Sequence, residues 1–164
     1  MEYYHTQEKR NEKITGPIMC TKDNAWLGNA YYFWEDKSDA IYWGSSSKRK
    51  TGKYEIYKAQ FAELNVLDTV FNRLEYEFFV KQIEKISIKF IKTTGFKPTL
   101  KEINDYLMEN NVLSEVDGIL FQDISSNPHH YLVRGMQYKK RIQLALYNRN
   151  KISTFVSHYE GVCN

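Results

Sequence analysis

Four aromatic side chains in a row, Tyr31, Tyr32, Phe33 and Trp34, stand between Gly28 and the acids Glu35 and Asp36. An aromatic ring offers a flat ligand a stacking surface at little entropic cost. The same residue types, bounded by a glycine and an acid, also make an ordinary buried strand, so the run supports both uses. His5 follows two tyrosines near the N-terminus and, taken alone, reads as a half-buried histidine with satisfied hydrogen bonds. Between Ile142 and Tyr147 the side chains alternate: Ile142, Leu144 and Leu146 form one face, Gln143, Ala145 and Tyr147 the other. That pattern sends the aliphatic set into the core and leaves Gln143 for a ligand.

Charge is spread unevenly. From His129 onward six Lys or Arg face Glu160 alone, so the basic end outweighs the formal net charge of +3. Arg134, Lys139, Lys140 and Arg141 lie close to Tyr131 and Tyr138, a mixture that suits nucleic acid because cations fix phosphates and rings stack on unpaired bases. A solvated surface that keeps the protein soluble explains the same charges. Cys20, Cys163 and the histidines His5, His129, His130 and His158 show no metal-ligand spacing, so no metal is expected and the thiols are expected to be free. Glu35 reads as a helix-start acid, Glu115, Asp117 and Asp123 as turn and surface residues, and Glu160 as a remote spare acid.

The elements that must hold these groups are strands and helices in mixed order. Strands are expected at Glu2–His5, Ala30–Trp34, Tyr54–Phe61, Gly118–Phe121 and Ile142–Tyr147. Leu67, Val70, Phe71, Leu74, Phe78, Ile83, Ile86 and Phe90 follow the spacing of one helical face, predicting one long or two broken core helices that start near Asp68. Pro98 and the sequence TLKE predict a helix capped by Thr99, with Glu102 reaching back, to about Asn110. Asp36 is expected to cap a further helix. Ser45–Lys53 and Ser125–His130 read as loops.

At 164 residues the chain is expected to be a single domain over 1–164. Its 42% hydrophobic and 26% charged residues are those of an ordinary globular protein, and no apolar window is long enough for a membrane span. The stretch MEYYHTQEKR lacks the features of a secretory signal, so the expected location is cytoplasmic. The glycine fingerprint of a Rossmann domain is missing, and the expected class is α+β.

Three blocks together resemble the ADP-ribosyltransferase superfamily, the mono- and poly(ADP-ribose) transferases and their bacterial toxin relatives. In YYHT, His5 resembles the family histidine that bonds the ribose of NAD, with Thr6 in place of the usual glycine. LGNAYYFWEDKSDAIYW resembles the block that carries the stacking tyrosine, which is Tyr32 in this register, with Ala30 where the family has glycine. Tyr42 or Trp43 then closes the other side of the nicotinamide. RIQLALYNRNKI resembles the late strand bearing the catalytic acid, and Gln143 stands where many members have Glu.

The resemblance implies an ADP-ribosyltransferase-like split β-sandwich with flanking helices, with NAD as co-substrate in a cleft between two small sheets. It implies catalytic roles for Gln143, Tyr32 and His5, NAD contacts from His5, Thr6, Tyr32, Tyr42, Trp43 and Gln143, and no metal. Arg134, Lys139, Lys140 and Arg141 are the expected acceptor-binding residues, the acceptor being RNA, single-stranded DNA or protein. By family analogy the chain is pictured as an intracellular bacterial toxin or phage-defence effector with a neutralising antitoxin partner and no membrane role. The alternatives are a catalytically silent module that binds NAD, ADP-ribose or RNA, and an interaction protein whose YYFW is only core.

Overall fold

A computed structural model describes residues 2–47, 50–123 and 141–163. The elements are β1 Glu2–Glu8, β2 Tyr31–Trp34, α1 Lys37–Ser47, β3 Lys53–Phe61, β4 Val66–Asp68, α2 Arg73–Thr94, α3 Leu100–Glu109, β5 Gly118–Asp123, β6 Arg141–Leu146 and β7 Ile152–Val162. The class is α+β. All seven described strands join in one sheet of order β4-β5-β6-β2-β1-β3-β7. β4 runs parallel to β5, and the remaining neighbours are antiparallel. The expected two small sheets are thus corrected to one, because Tyr4 of β1 pairs with Trp34 of β2 and bridges the halves.

Three apolar clusters hold the sheet. Under α2 and α3, Leu27, Ile103, Leu107, Ile119, Phe121 and Ala145 pack together. Under α1, Trp34 and Ala40 meet Tyr54 and Ile56. The third cluster, on the other face, contains Tyr3, Phe33, Leu120, Ile142, Leu144 and Leu146, and all its members come from strands and loops. There Phe61 of β3 meets Tyr3 and Phe33 at ring distances of 5.4 and 5.1 Å. The aliphatic face expected of Ile142, Leu144 and Leu146 is therefore present, whereas on the face expected to meet a ligand Ala145 is fully buried and Tyr147 packs against the cluster under α2 and α3.

Local signals explain where the helices begin. Asp36 Oδ1 accepts from Ser38 N at 2.6 Å and opens α1. Thr99 and Glu102 form the expected capping box of α3. α2 departs from expectation: Asp68 ends β4, and its Oδ1 accepts from Val70 N and Phe71 N. Asn72 is the cap, accepting from Leu74 N and Glu75 N. The later start leaves Phe79 and Ile86 as the buried residues of α2, while Phe71, Leu74 and Phe78 are exposed. Ser45–Ser47, expected in a loop, continue α1, where the Ser45 and Ser46 hydroxyls donate to the carbonyl of Tyr42. β4 and β7 were not expected; β7 is an edge strand with most side chains outside the core. The predicted loop Ser125–His130 lies outside the described residues. No described helix is long and apolar enough to cross a membrane.

Asp117 ties the start of β5 to the turn after β6. Its carboxylate accepts from Asn65 N at 2.9 Å and Asn148 Nδ2 at 2.9 Å, and pairs with Lys151 Nζ at 3.2 Å. Burial by itself raises this carboxyl, but the hydrogen bonds and Lys151 more than offset it and hold it below the usual range. A lowered folded-state value means that the stabilisation is present above the unfolded value of about 4 and is lost as pH falls through the folded one. Thermal unfolding between pH 6 and 2 is expected to show a steep acid limb that Asp117→Asn flattens. Parallel limbs in the two proteins would remove Asp117 from the acid response.

Candidate functional site

The three strands that carry the chemistry are neighbours, in the order β6-β2-β1. β2 pairs with β6 along its whole length, Tyr31 opposite Leu146 through Trp34 opposite Gln143. β1 and β2 share only the Tyr4/Trp34 pair, so beyond Tyr4 the two strands part and leave a seam. Directly opposed residues share a sheet face, and side chains alternate along each strand. Tyr4, Thr6, Tyr32, Trp34 and Gln143 therefore belong to the helix-covered face, and Tyr3, His5, Tyr31 and Phe33 to the other.

His5 spans the seam. Its Nδ1 donates to the Tyr32 carbonyl at 2.9 Å, and its Nε2 accepts from Ile18 N at 3.4 Å, so the neutral ring carries its proton on Nδ1. The ring is buried against Phe33 and Phe155 at 5.4 and 6.0 Å. Thr6 is turned to α1, its hydroxyl donating to the Ala40 carbonyl at 3.0 Å. On the His5 face, Ile14 N donates to the Tyr57 hydroxyl, which in turn donates to Glu55 Oε2 at 2.8 Å.

Gln7 lies opposite Glu55 on the same face, 5% exposed, and neither atom of its amide has a hydrogen-bond partner among the described residues. An unpaired buried amide costs free energy that an apolar side chain of similar shape avoids. Gln7→Met is expected to raise the unfolding free energy by about 1 to 3 kcal/mol in urea titration. A loss of stability would mean that the amide has a partner in solution.

The Tyr32 ring, expected to stack on nicotinamide, lies partly buried on the helix-covered face. Its side chain packs against the core cluster under α2 and α3 and meets Phe121 edge-on. Its hydroxyl donates to Gly28 O at 2.9 Å and accepts from Leu27 N at 3.2 Å, clamping a turn in which Gly28 has φ +72°. Burial, followed by the neighbouring Tyr147, pushes the hydroxyl above its ordinary value. Phe33 and Trp34 are buried and Tyr32 is partly buried against the core, so the aromatic run is a core strand. Tyr31, partly buried, is the run's tyrosine on the His5 face.

Tyr42 and Trp43 sit on α1, 37% and 39% exposed. Trp43 meets Trp34 at 6.0 Å. Gln143 is partly buried opposite Trp34 and Phe121, and its amide makes no hydrogen bond to a described residue. Two residues away on the same face, Arg141 corrects the expectation of a surface phosphate contact. Its guanidinium is buried between Trp34 (4.7 Å) and Tyr42 (5.1 Å), with Nη2 3.1 Å from Asp123 Oδ2 and Nε 3.9 Å from Asp39 Oδ1. The cation is thus already matched by two acids. Burial raises the Asp123 carboxyl, Arg141 opposes this and Asp39 reinforces it. The other expected acceptor contacts, Arg134, Lys139 and Lys140, lie outside the described residues.

Among the remaining acids, Glu160 of β7 is ion-paired with Lys9. No three described His, Cys, Asp or Glu converge as metal ligands, and Cys20 and Cys163 are not joined in a disulfide. Sequence reasoning passed over Gln7 and Glu55. A signal existed for Glu55, which sits inside the expected strand Tyr54–Phe61; Gln7 lies beyond the expected strand Glu2–His5 and had none. No family model, curated protein or solved structure matches the chain.

Proposed function

We propose that the protein is an NAD-dependent ADP-ribosyltransferase whose ADP-ribosyltransferase-like sheet is split in part by the seam beyond Tyr4 and Trp34. The observation that carries this reading is the adjacency of β6, β2 and β1, which brings the three family-like blocks from opposite ends of the chain onto neighbouring strands. Gln143 orients the nicotinamide ribose from the helix-covered face, whereas His5, on the other face with both ring nitrogens bonded to the backbone, ties the two strands across the seam. With Tyr32 used by the core, stacking falls to α1, on Trp43 or the outer face of Tyr42. In the reaction the bond between the anomeric carbon and nicotinamide breaks, nicotinamide leaves with the bonding pair, and an acceptor nucleophile bonds to that carbon and releases its proton to water. Gln143 can hold a ribose hydroxyl but brings no negative charge to the oxocarbenium-like transition state.

The acceptor is RNA, single-stranded DNA or protein. With Arg141 turned inward, a nucleic-acid acceptor relies on Arg134, Lys139 and Lys140. A toxin or phage-defence effector neutralised by an antitoxin protein remains the biological setting of this reading. A second reading, a silent module that binds NAD, ADP-ribose or RNA, is favoured by Gln143 and by the internal use of Tyr32. Incubation with NAD labelled in the nicotinamide separates the two: the transferase releases free nicotinamide, whereas the silent module binds the label and releases none.

A further inference from the structure

Trp26 faces outward from a stretch whose other apolar side chains are buried. Ala25 is 6% and Leu27 1% exposed, yet Trp26 between them is 43% exposed. The backbone that presents it is fixed: Leu27 N donates to the Tyr32 hydroxyl at 3.2 Å, and Leu27 O accepts from Asn104 Nδ2 at 2.8 Å and from the Tyr147 hydroxyl at 3.1 Å. The indole makes no ring contact and no hydrogen bond with a described residue. It borders a cavity of about 390 Å³ whose other walls are Asp23, Asn24, Thr99, Leu100 and Lys101. Lys101 is already engaged, its Nζ 2.6 Å from Asp105 Oδ2. The Asp23 carboxylate and the Asn24 amide make no hydrogen bond or ion pair with a described residue.

The surface beyond the cavity is basic. From Lys85 to Lys101 there are five Lys and no Asp or Glu, and Lys85, Lys92 and Lys97 are exposed without an ion pair to a described residue. Phe96, 76% exposed, precedes Lys97 where Gly95, at φ +77°, ends α2. Glu84 and Glu102 flank the run, and Glu102 is held by the Thr99 cap. A flat ring beside a hollow, a carboxylate and an amide in its wall and lysines outside it match an unpaired base and its backbone: the ring stacks, the polar pair meets the base edge, and the cations meet phosphates. The volume falls within the range of about 300–1,000 Å³ for small-ligand pockets. An unpaired acid in a concave wall disfavours the other partner for lysines and exposed rings, an anionic membrane, whose headgroups repel it and whose acyl chains it cannot enter. We infer that the cavity at Trp26 holds one unpaired base of a single-stranded nucleic acid, with Lys92 and Lys97 on the phosphates of the same strand. The inference rests on the function proposed above only for the strand's role as acceptor; the base site stands without NAD chemistry.

The test is fluorescence anisotropy of short labelled single-stranded RNA and DNA of mixed sequence, and of the matching duplexes, with the full chain and its variants, alongside nicotinamide release from NAD. Trp26→Ala is expected to weaken the single strand by about 5- to 150-fold, the range for one stacked base, and Trp26→Phe by less because a ring remains. Lys92→Glu combined with Lys97→Glu should weaken the single strand and flatten its salt dependence. All these side chains are exposed, so melting temperatures should stay within a few degrees of wild type. Equal affinity in wild type and Trp26→Ala, or no binding of either single strand to wild type, overturns the site. Tighter binding of duplex than of single strand overturns it too. Trp26-dependent binding to phosphatidylserine vesicles in preference to the single strand assigns the surface to a membrane and overturns it as well. Trp26-dependent strand binding with no nicotinamide released keeps this inference and overturns the transferase; nicotinamide release with no strand binding does the reverse.

Discussion

Tyr32→Ala is expected to lower the unfolding free energy by about 2 to 4 kcal/mol, toward the lower part of the range for core aromatics because the ring is partly buried against the core. The ring packs against the cluster of Leu27, Ile103, Phe121 and Ala145 on the helix-covered face. Its hydroxyl adds a second contribution by joining Leu27 N and Gly28 O across the turn that enters β2. Tyr32→Phe removes only those two hydrogen bonds and is expected to cost about 1 to 2 kcal/mol. Urea unfolding of both variants, read beside NAD binding, separates a core ring from a ligand-stacking ring. A Tyr32→Ala protein within about 1 kcal/mol of wild type that has lost NAD affinity would return Tyr32 to the stacking role.

The difference between Tyr31 and Tyr32 shows what a single sequence can and cannot carry. A strand through Tyr31–Trp34 follows from aromatic content and the Gly28 boundary, but four aromatics in succession have no alternation from which to read the buried face. The face is set by pairing, Tyr32 opposite Ala145 and Phe33 opposite Leu144, and that depends on a strand at the far end of the chain. Ile142–Leu146 did alternate, and its aliphatic face was legible. The Thr99/Glu102 box was legible because both partners lie within one turn. The start of α2 was not, because Asp68 and Asn72 both offer a capping oxygen, and tertiary pairing of β4 with β5 takes Asp68 out of the competition. β7 escaped notice for a related reason: an edge strand outside the core needs no apolar period, and its stability comes from its ladder with β3. Arg141 and Arg149 look alike in sequence, yet one is enclosed by Asp39 and Asp123 and the other is left open.

Gln143→Ala is expected to lower NAD turnover by about 10- to 1000-fold with little change in NAD affinity, the range for a lost contact made chiefly in the transition state. The side chain shares a face with Trp34 and Phe121, and its amide is not engaged by a described residue, so its removal should leave the fold intact. A melting temperature within a few degrees of wild type checks this. Gln143→Glu has the opposite sense. A carboxylate there adds the negative charge that an amide lacks beside a developing oxocarbenium ion. Turnover in Gln143→Glu is therefore expected to equal or exceed wild type if the chain is an active transferase. Equal turnover in wild type and Gln143→Ala would move the chemistry to another residue. Glu55 would then be tested first, as the carboxylate that is 1% exposed on the His5 face of the sheet. Cleavage gained only in Gln143→Glu would establish the silent module instead, with the amide as the feature that keeps NAD intact.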